Sequence, residues 1–315
     1  MNILFVDAFD DAGREYGNFR AQGFFNHGHK VFGFDDKKVA QKLGISQRDD
    51  LLLRTLQEQS IDLALFVKCL EGCGGVSLAL MEKIKEHCQV GYIFIEPMCS
   101  ITDEICKKVS IADFAIVEKK NTYENLKKYN KNTFHFYEGC DHRLEKKQDI
   151  PIRFDVSFLG NIYGNRAEIL QAVKPQPVVI QDAFGNRHSQ AVSASKINLN
   201  LCTAEGASNR IWKILWAEGF VLSDDWCGRE EHFVDGKHLV IFNGTDDLNK
   251  KILYYLEHED ERLQIAKAGY ERVVELNTNL DNFAKKITEA AQSLMIDADF
   301  ASRALNILNK KKTYK

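Results

Sequence analysis

Residues 206–242 read GASNRIWKILWAEGFVLSDDWCGREEHFVDGKHLVIF. A small polar turn, Gly206 to Asn209, opens a helix at about Arg210, in which Ile211 and Leu215, and Trp212 and Trp216, recur at helical spacing. Gly219 ends that helix, and Phe220-Val221-Leu222 is a short buried strand. Ser223-Asp224-Asp225 leaves the strand end. A second short helix carries Glu230, Glu231 and Phe233, and Gly236 turns the chain into the strand Leu239 to Phe242. Charged and small residues therefore collect at the strand ends of an α/β layer, where such sheets bind ligands.

Upstream, Phe154 to Leu159 is a strand, Gly160 to Asn165 a loop and Arg166 to Ala172 a helix. Small residues at a helix start together with one arginine suit a phosphate, and suit an ordinary turn as well. Val178 to Ile180 and Lys196 to Cys202 read as further strands. Three helical stretches, 247–257, 259–269 and 271–276, follow the opening segment, and one or two amphipathic helices span 279–308. The N-terminal half alternates in the same way. Strands are expected at 3–6, 31–34, 63–67, 90–95, 112–117 and 133–137, with helices at 16–27, 50–59, 77–87, 101–109 and 121–129. A Gly-rich loop, Lys68 to Gly75, leaves the third strand and reads either as a ligand contact or as a plain turn. The polar, basic stretch 144–153 with Pro151 marks a boundary between domains 1–149 and 150–290, and a C-terminal helix with a basic tail occupies 291–315.

Length and composition agree with two α/β domains. The chain has 315 residues, 44% of them hydrophobic, and a net charge of -3, which gives no bulk electrostatic case for a nucleic-acid partner. Its eight cysteines are scattered without paired CxxC motifs, so reduced cytosolic thiols are expected and a structural metal is not. Met1 to Val6 reads as a strand closed by Asp7 rather than a signal peptide, and no apolar run is long enough to span a membrane. The first loop lacks GxGxxG and no GxxxxGK[ST] occurs, which argues against a Rossmann dehydrogenase and a P-loop ATPase.

Arg210, Gly219, Phe220 to Leu222, Asp224, Glu231, Phe233, Gly236 and Val240 to Phe242 fall in a recognisable order. Tyr255, Leu256, Arg262, Ala266, Gly269 and Val273 follow. This pattern resembles the C-terminal domain of the spore-protein-type (CgeB-like) glycosyltransferases, related to glycosyltransferase group 1. Phe158-Leu159-Gly160 with Arg166, and Asn198-Leu199-Asn200, look like two further parts of that domain. The resemblance covers about 154–290 and departs from the family pattern at Lys213, usually Glu, and at Asn277-Thr278, usually His-Thr. It implies a GT-B fold: two Rossmann-like parallel-sheet α/β domains face each other across a cleft, with C-terminal helices crossing back to the first. It also implies a cytoplasmic enzyme that moves sugar from a nucleotide-diphosphate sugar, UDP-type foremost, with no resident cofactor or metal.

Several residues can be placed on that chemistry. A nucleoside diphosphate leaves readily when cations and backbone donors meet its developing charge. Arg210 is the first choice for that role, with Ser208, Asn209 and Lys213 beside it and Gly160 and Arg166 facing from the other loop. The same residues could simply cap a helix. Glu231 would accept from ribose or sugar hydroxyls, and Asp224 would position the sugar. Asp10, Asp11, Glu71 or Glu96, on the acceptor side, would supply a general base. The acceptor is left open among glycan, protein, small molecule and modified DNA base, the last without support from net charge. The oligomeric state is open too. Two other readings remain: a degenerate GT-B-like binding or structural protein, favoured by Lys213 and Asn277, and a nucleotide-sugar epimerase or hydrolase.

Overall fold

The computed structural model describes residues 1–10, 16–95, 101–181, 183–202 and 208–312, with side chains as far as Ile296. Its first half alternates strand and helix: β1 (Asn2–Val6), α1 (Tyr16–Asn26), β2 (Lys30–Phe34), α2 (Asp36–Leu43), α3 (Ile45–Gln59), β3 (Leu63–Val67), α4 (Leu78–Lys85), β4 (Gln89–Phe94), α5 (Asp103–Ile111), β5 (Phe114–Val117), α6 (Lys120–Leu126) and β6 (Thr133–His135). The strands form one parallel sheet in the order β2-β1-β3-β4-β5-β6. The expected elements are all there, with one addition. The addition is α2, which the Asp35 side chain caps by accepting from Lys38 N at 2.9 Å.

The second half runs β7 (Phe154–Leu159), α7 (Arg166–Ala172), β8 (Val178–Ile180), α8 (Asn186–Ser193), β9 (Ser195–Asn200), α9 (Asn209–Trp216), β10 (Val221–Ser223), β11 (Val240–Ile241), α10 (Gly244–Glu257), α11 (Glu259–Leu276) and α12 (Leu280–Lys312). The sheet order is β11-β10-β9-β7-β8, parallel throughout. The expected break at Gly269 is absent. A Cβ there would lie 2.3 Å from the His238 carbonyl oxygen, so this glycine lets a neighbouring segment approach α11 without ending it. The expected helix around Glu230 and Glu231 is a single 3-10 turn, Arg229–Glu231.

Each sheet is buried on both faces, as its continuous apolar strands require. In β1, Leu4 and Val6 face a cluster with Leu52, Leu80 and Ile105, while Ile3 and Phe5 face Phe24, Phe283 and Ile287. The last two belong to α12, so the C-terminal helix does cross back onto the first sheet. It starts at Leu280, inside the stretch assigned from sequence to the second domain, because its first turn already carries the apolar residues that cover β1. The two interdomain connections run side by side, with Leu280 N donating to Cys140 O at 3.0 Å, and Trp216 Nε1 of α9 donates to Thr278 O at 2.8 Å.

Candidate functional site

In the second sheet the chain steps from β7 to β8 on one side and then returns to β9 on the other. The carboxyl ends of β7 and β9 therefore flank a topological switch point, the usual binding crevice of an open α/β sheet. Two arginines occupy it. The Arg210 guanidinium donates to Leu159 O and, at 3.0 Å, to Asn200 Oδ1, with its carbon 4.6 Å from the centre of the Phe158 ring. Arg166 donates to Asn161 O at 2.9 Å and Leu201 O at 2.7 Å and lies 3.9 Å over the Tyr163 ring. Gly160, at φ +138°, makes room for them: a Cβ there would sit 2.5 Å from Arg210 Nη2.

Arg166 is 1% exposed and Arg210 8%. Among the described residues no carboxylate forms an ion pair with either, and Arg166 Nε is buried without an acceptor. Burial pushes the Arg210 guanidinium down to about 10, and the charge of Arg166 pushes in the same direction. Two buried like charges are costly on their own and are relieved when an anion arrives.

Beside the pair, an open crevice of about 420 Å³ is lined by Ile169, Asp224, Phe242, Asn243, Gly244 and Thr245. It lies at the carboxyl ends of β10 and β11. Asp224 Oδ1 accepts from Cys202 N at 2.7 Å. Burial raises this carboxyl above its ordinary range, against the Cys202 hydrogen bonds and the charge of Arg166.

The other expected site residues are arranged differently. Ser208 is the N-cap of α9, accepting from Arg210 N at 3.3 Å, and Asn209 donates to Glu138 Oε2 at 2.6 Å. Lys213 does not join the arginine pair. Its ammonium lies 3.6 Å from Glu145 Oε1 and 5.2 Å over the Tyr16 ring, against the interdomain connection. Helical spacing puts Lys213 one turn from Arg210, but the linker carboxylate claims its charge. Glu231 is paired with Lys120 of the first domain, which holds its carboxyl below the ordinary range. Glu71 accepts from Leu78 N at 2.8 Å, at the start of α4. The Asp10 backbone N donates to Asn18 Oδ1 at 3.1 Å, while Asp11 and Glu96 lie outside the described residues.

The Gly-rich loop 68–75 is braced from beneath. Buried Arg48 donates to Gly74 O at 2.8 Å, and fully buried Lys108 donates to Val76 O at 2.6 Å and to Cys69 O. Those cations satisfy the carbonyls of a tight turn.

Sequence reasoning missed a carboxylate cluster on the first domain. Asp7 and Glu118 stand directly after β1 and β5, and Glu138 follows β6. Arg20 donates to Asp7 at 2.6 Å and to Glu138 at 2.5 Å, and Glu138 N donates to Glu118 Oε1 at 3.2 Å. An acidic residue just after an apolar strand was the available signal, since it had singled out Asp224 and Glu96. Burial, and then the charge of Glu138, raises the Glu118 carboxyl to about 8. A raised carboxyl binds its proton more tightly in the folded state, so stability should fall as pH rises from the ordinary carboxylate range through about 8. Glu118→Gln should therefore raise Tm by several degrees at pH 8.5, at about 2–4 °C per kcal/mol, and leave it unchanged at pH 4.5. Equal shifts at both pH values in a melting series would contradict the buried, protonated carboxyl.

Residues 146–289 match the family model described as glycosyl transferase-like. No curated protein matches the chain. Among solved structures, HepE from Anabaena, in complex with UDP-glucose, is 14% identical with a TM-score of 0.70, covering 93% of this chain and 100% of its own. Sucrose-phosphate synthase from Thermosynechococcus elongatus is 10% identical at 0.69, covering 94% and 99%. A glycosyltransferase from Rickettsia africae is 10% identical at 0.68, covering 93% and 98%. The chain has the GT-B fold, with two parallel-sheet domains opposed across a cleft.

Proposed function

We propose that this chain is a glycosyltransferase that moves a sugar from a nucleotide-diphosphate sugar to an acceptor held against the first domain. The observation that carries the reading is the buried pair Arg166 and Arg210, without a carboxylate ion-pair partner among the described residues, at the switch point of the domain that the family model matches. As the bond from the anomeric carbon to the β-phosphate oxygen breaks, negative charge gathers on the departing diphosphate. Two guanidiniums and the N-terminus of α9 meet it, supplying the positive charge that a divalent ion brings to other enzymes.

The nucleoside fills the crevice beside Asp224, whose carboxylate accepts from hydroxyls of the donor. Glu231 serves the cross-domain contact with Lys120. The donor is UDP-type, a reading supported by the UDP-glucose bound to HepE. The finer resemblance to the spore-protein-type family rests on Arg210, Gly219, Phe233 and Gly236. We place the enzyme in the cytoplasm on its scattered cysteines, which are free wherever they fall among the described residues; no described helix is long and apolar enough to cross a membrane.

A melting panel with UDP, GDP, CMP, ADP and dTDP, with and without Mg²⁺, tests this. UDP at a hundred times its Kd should stabilise by about 2.7 kcal/mol, with or without the metal. No stabilisation by any nucleotide would replace this reading with a catalytically inactive binding protein. Stabilisation only with Mg²⁺ would remove the metal-independent role of the arginines.

A further inference from the structure

Arg210 is the second residue of α9, and the first, Asn209, is tied to the other domain. Asn209 Nδ2 donates to Glu138 Oε2 at 2.6 Å, and the other oxygen of that carboxylate accepts from Arg20 at 2.5 Å. Arg20 in turn reaches Asp7 at the end of β1, at 2.6 Å. All three ionic members are buried: Glu138 is 0% exposed, Arg20 5% and Asp7 8%. We propose that Glu138 is a positioning residue: it holds the start of α9, and with it Arg210, at a place set by Arg20 of the first domain.

The proposal rests on the reading of Arg210 as the diphosphate group. The first turn of a helix moves as a unit, so a hydrogen bond on Asn209 fixes the direction from which Arg210 departs. Glu138 is suited to this, because its carboxylate faces the positive end of α9. Both of its oxygens are engaged, one by each domain, and its backbone N donates to Glu118. Arg20 cannot drift independently: α1 also carries Phe24, packed with Phe283 and Ala284 of the returning helix. A shift of α1 is thereby passed to the donor site.

The test combines a mutant cycle with amide exchange. Asn209→Ala, Arg210→Ala and the double variant are titrated with UDP and with uridine. Asn209→Ala should weaken UDP about ten-fold and leave uridine unchanged, and should have no further effect when Arg210 is already alanine. Equal losses in both backgrounds, or a matching loss for uridine, would overturn the proposal, because they would mark a general structural role. Glu138→Gln, an isostere, is followed by hydrogen exchange without any nucleotide. Amides of Lys213 to Leu215 should exchange about ten-fold faster while those of β7 and β9 stay protected. Unchanged exchange in α9 would overturn the positioning role. If the wild type bound no nucleoside diphosphate, the reading of Arg210 would fall, and the exchange result would still decide whether Glu138 holds the helix.

Discussion

Arg210→Ala is expected to lower sugar transfer by about 10²–10³-fold, the usual consequence of removing one preorganised donor from a developing oxyanion. The loss should follow the phosphate rather than the base. Arg210 sits over the end of β7, with a backbone carbonyl and the Asn200 amide oxygen as its protein partners, and Arg166 shares the crevice. UDP affinity should therefore drop steeply, UMP affinity less, and uridine affinity hardly at all. Stability should change far less than function. The variant removes one of two buried like charges, which offsets the hydrogen bonds it loses, so Tm should stay within a few degrees of wild type. Arg210→Lys should recover only part of the rate, since an ammonium lacks the planar fork that can hold a carbonyl and a phosphate oxygen together. Calorimetric titrations with the three ligands decide the matter: a uniform loss across all of them would mean that Arg210 shapes the crevice instead of binding the diphosphate.

The fold was legible because both sheets are parallel and buried on both faces, which writes each strand as an uninterrupted apolar run such as Phe154 to Leu159 or Leu63 to Val67. The same rule placed Gly160, Arg166 and Arg210 at strand ends of one domain, and the crevice between β7 and β9 brings them together. Interdomain pairing was not legible. Asn209 and Glu138 are 71 positions apart and Lys120 and Glu231 are 111, and nothing local in either partner indicates the other. From sequence alone Glu231 and Asn209 read as donor contacts, whereas in the fold both engage residues of the first domain. Lys213 illustrates the same limit. Periodicity shows which face of α9 it occupies, but only the folded linker shows that a carboxylate waits there.

That partner gives the second large effect. Lys213→Glu, which would install the residue that the resembling family carries, is expected to destabilise this protein by about 3–5 kcal/mol, the cost of breaking a buried pair. Glu145 is 3% exposed and lies 3.6 Å from the Lys213 ammonium, and its other oxygen meets His188 Nδ1 at 2.8 Å. Burial lowers His188, so near neutral pH its imidazole is uncharged and leaves Lys213 as the cation opposing Glu145. Burial also works against Lys213, but Tyr16 and Glu145 outweigh it and hold the ammonium above its ordinary range. A carboxylate in that place would face another with no mobile counter-ion, and Tm should fall by roughly 10 °C. The exchanged pair, Lys213→Glu with Glu145→Lys, should recover at least half of the loss, which a purely steric defect would not. Lys213→Met separates this structural charge from the donor site: it should lower Tm yet leave UDP affinity within about three-fold, since the Lys213 ammonium is engaged by Glu145 and Tyr16 and not at the arginine crevice. A large loss of UDP affinity in Lys213→Met would return Lys213 to the donor site. Retained affinity would mean that the departure at Lys213 compensates Glu145 and is not a mark of lost catalysis.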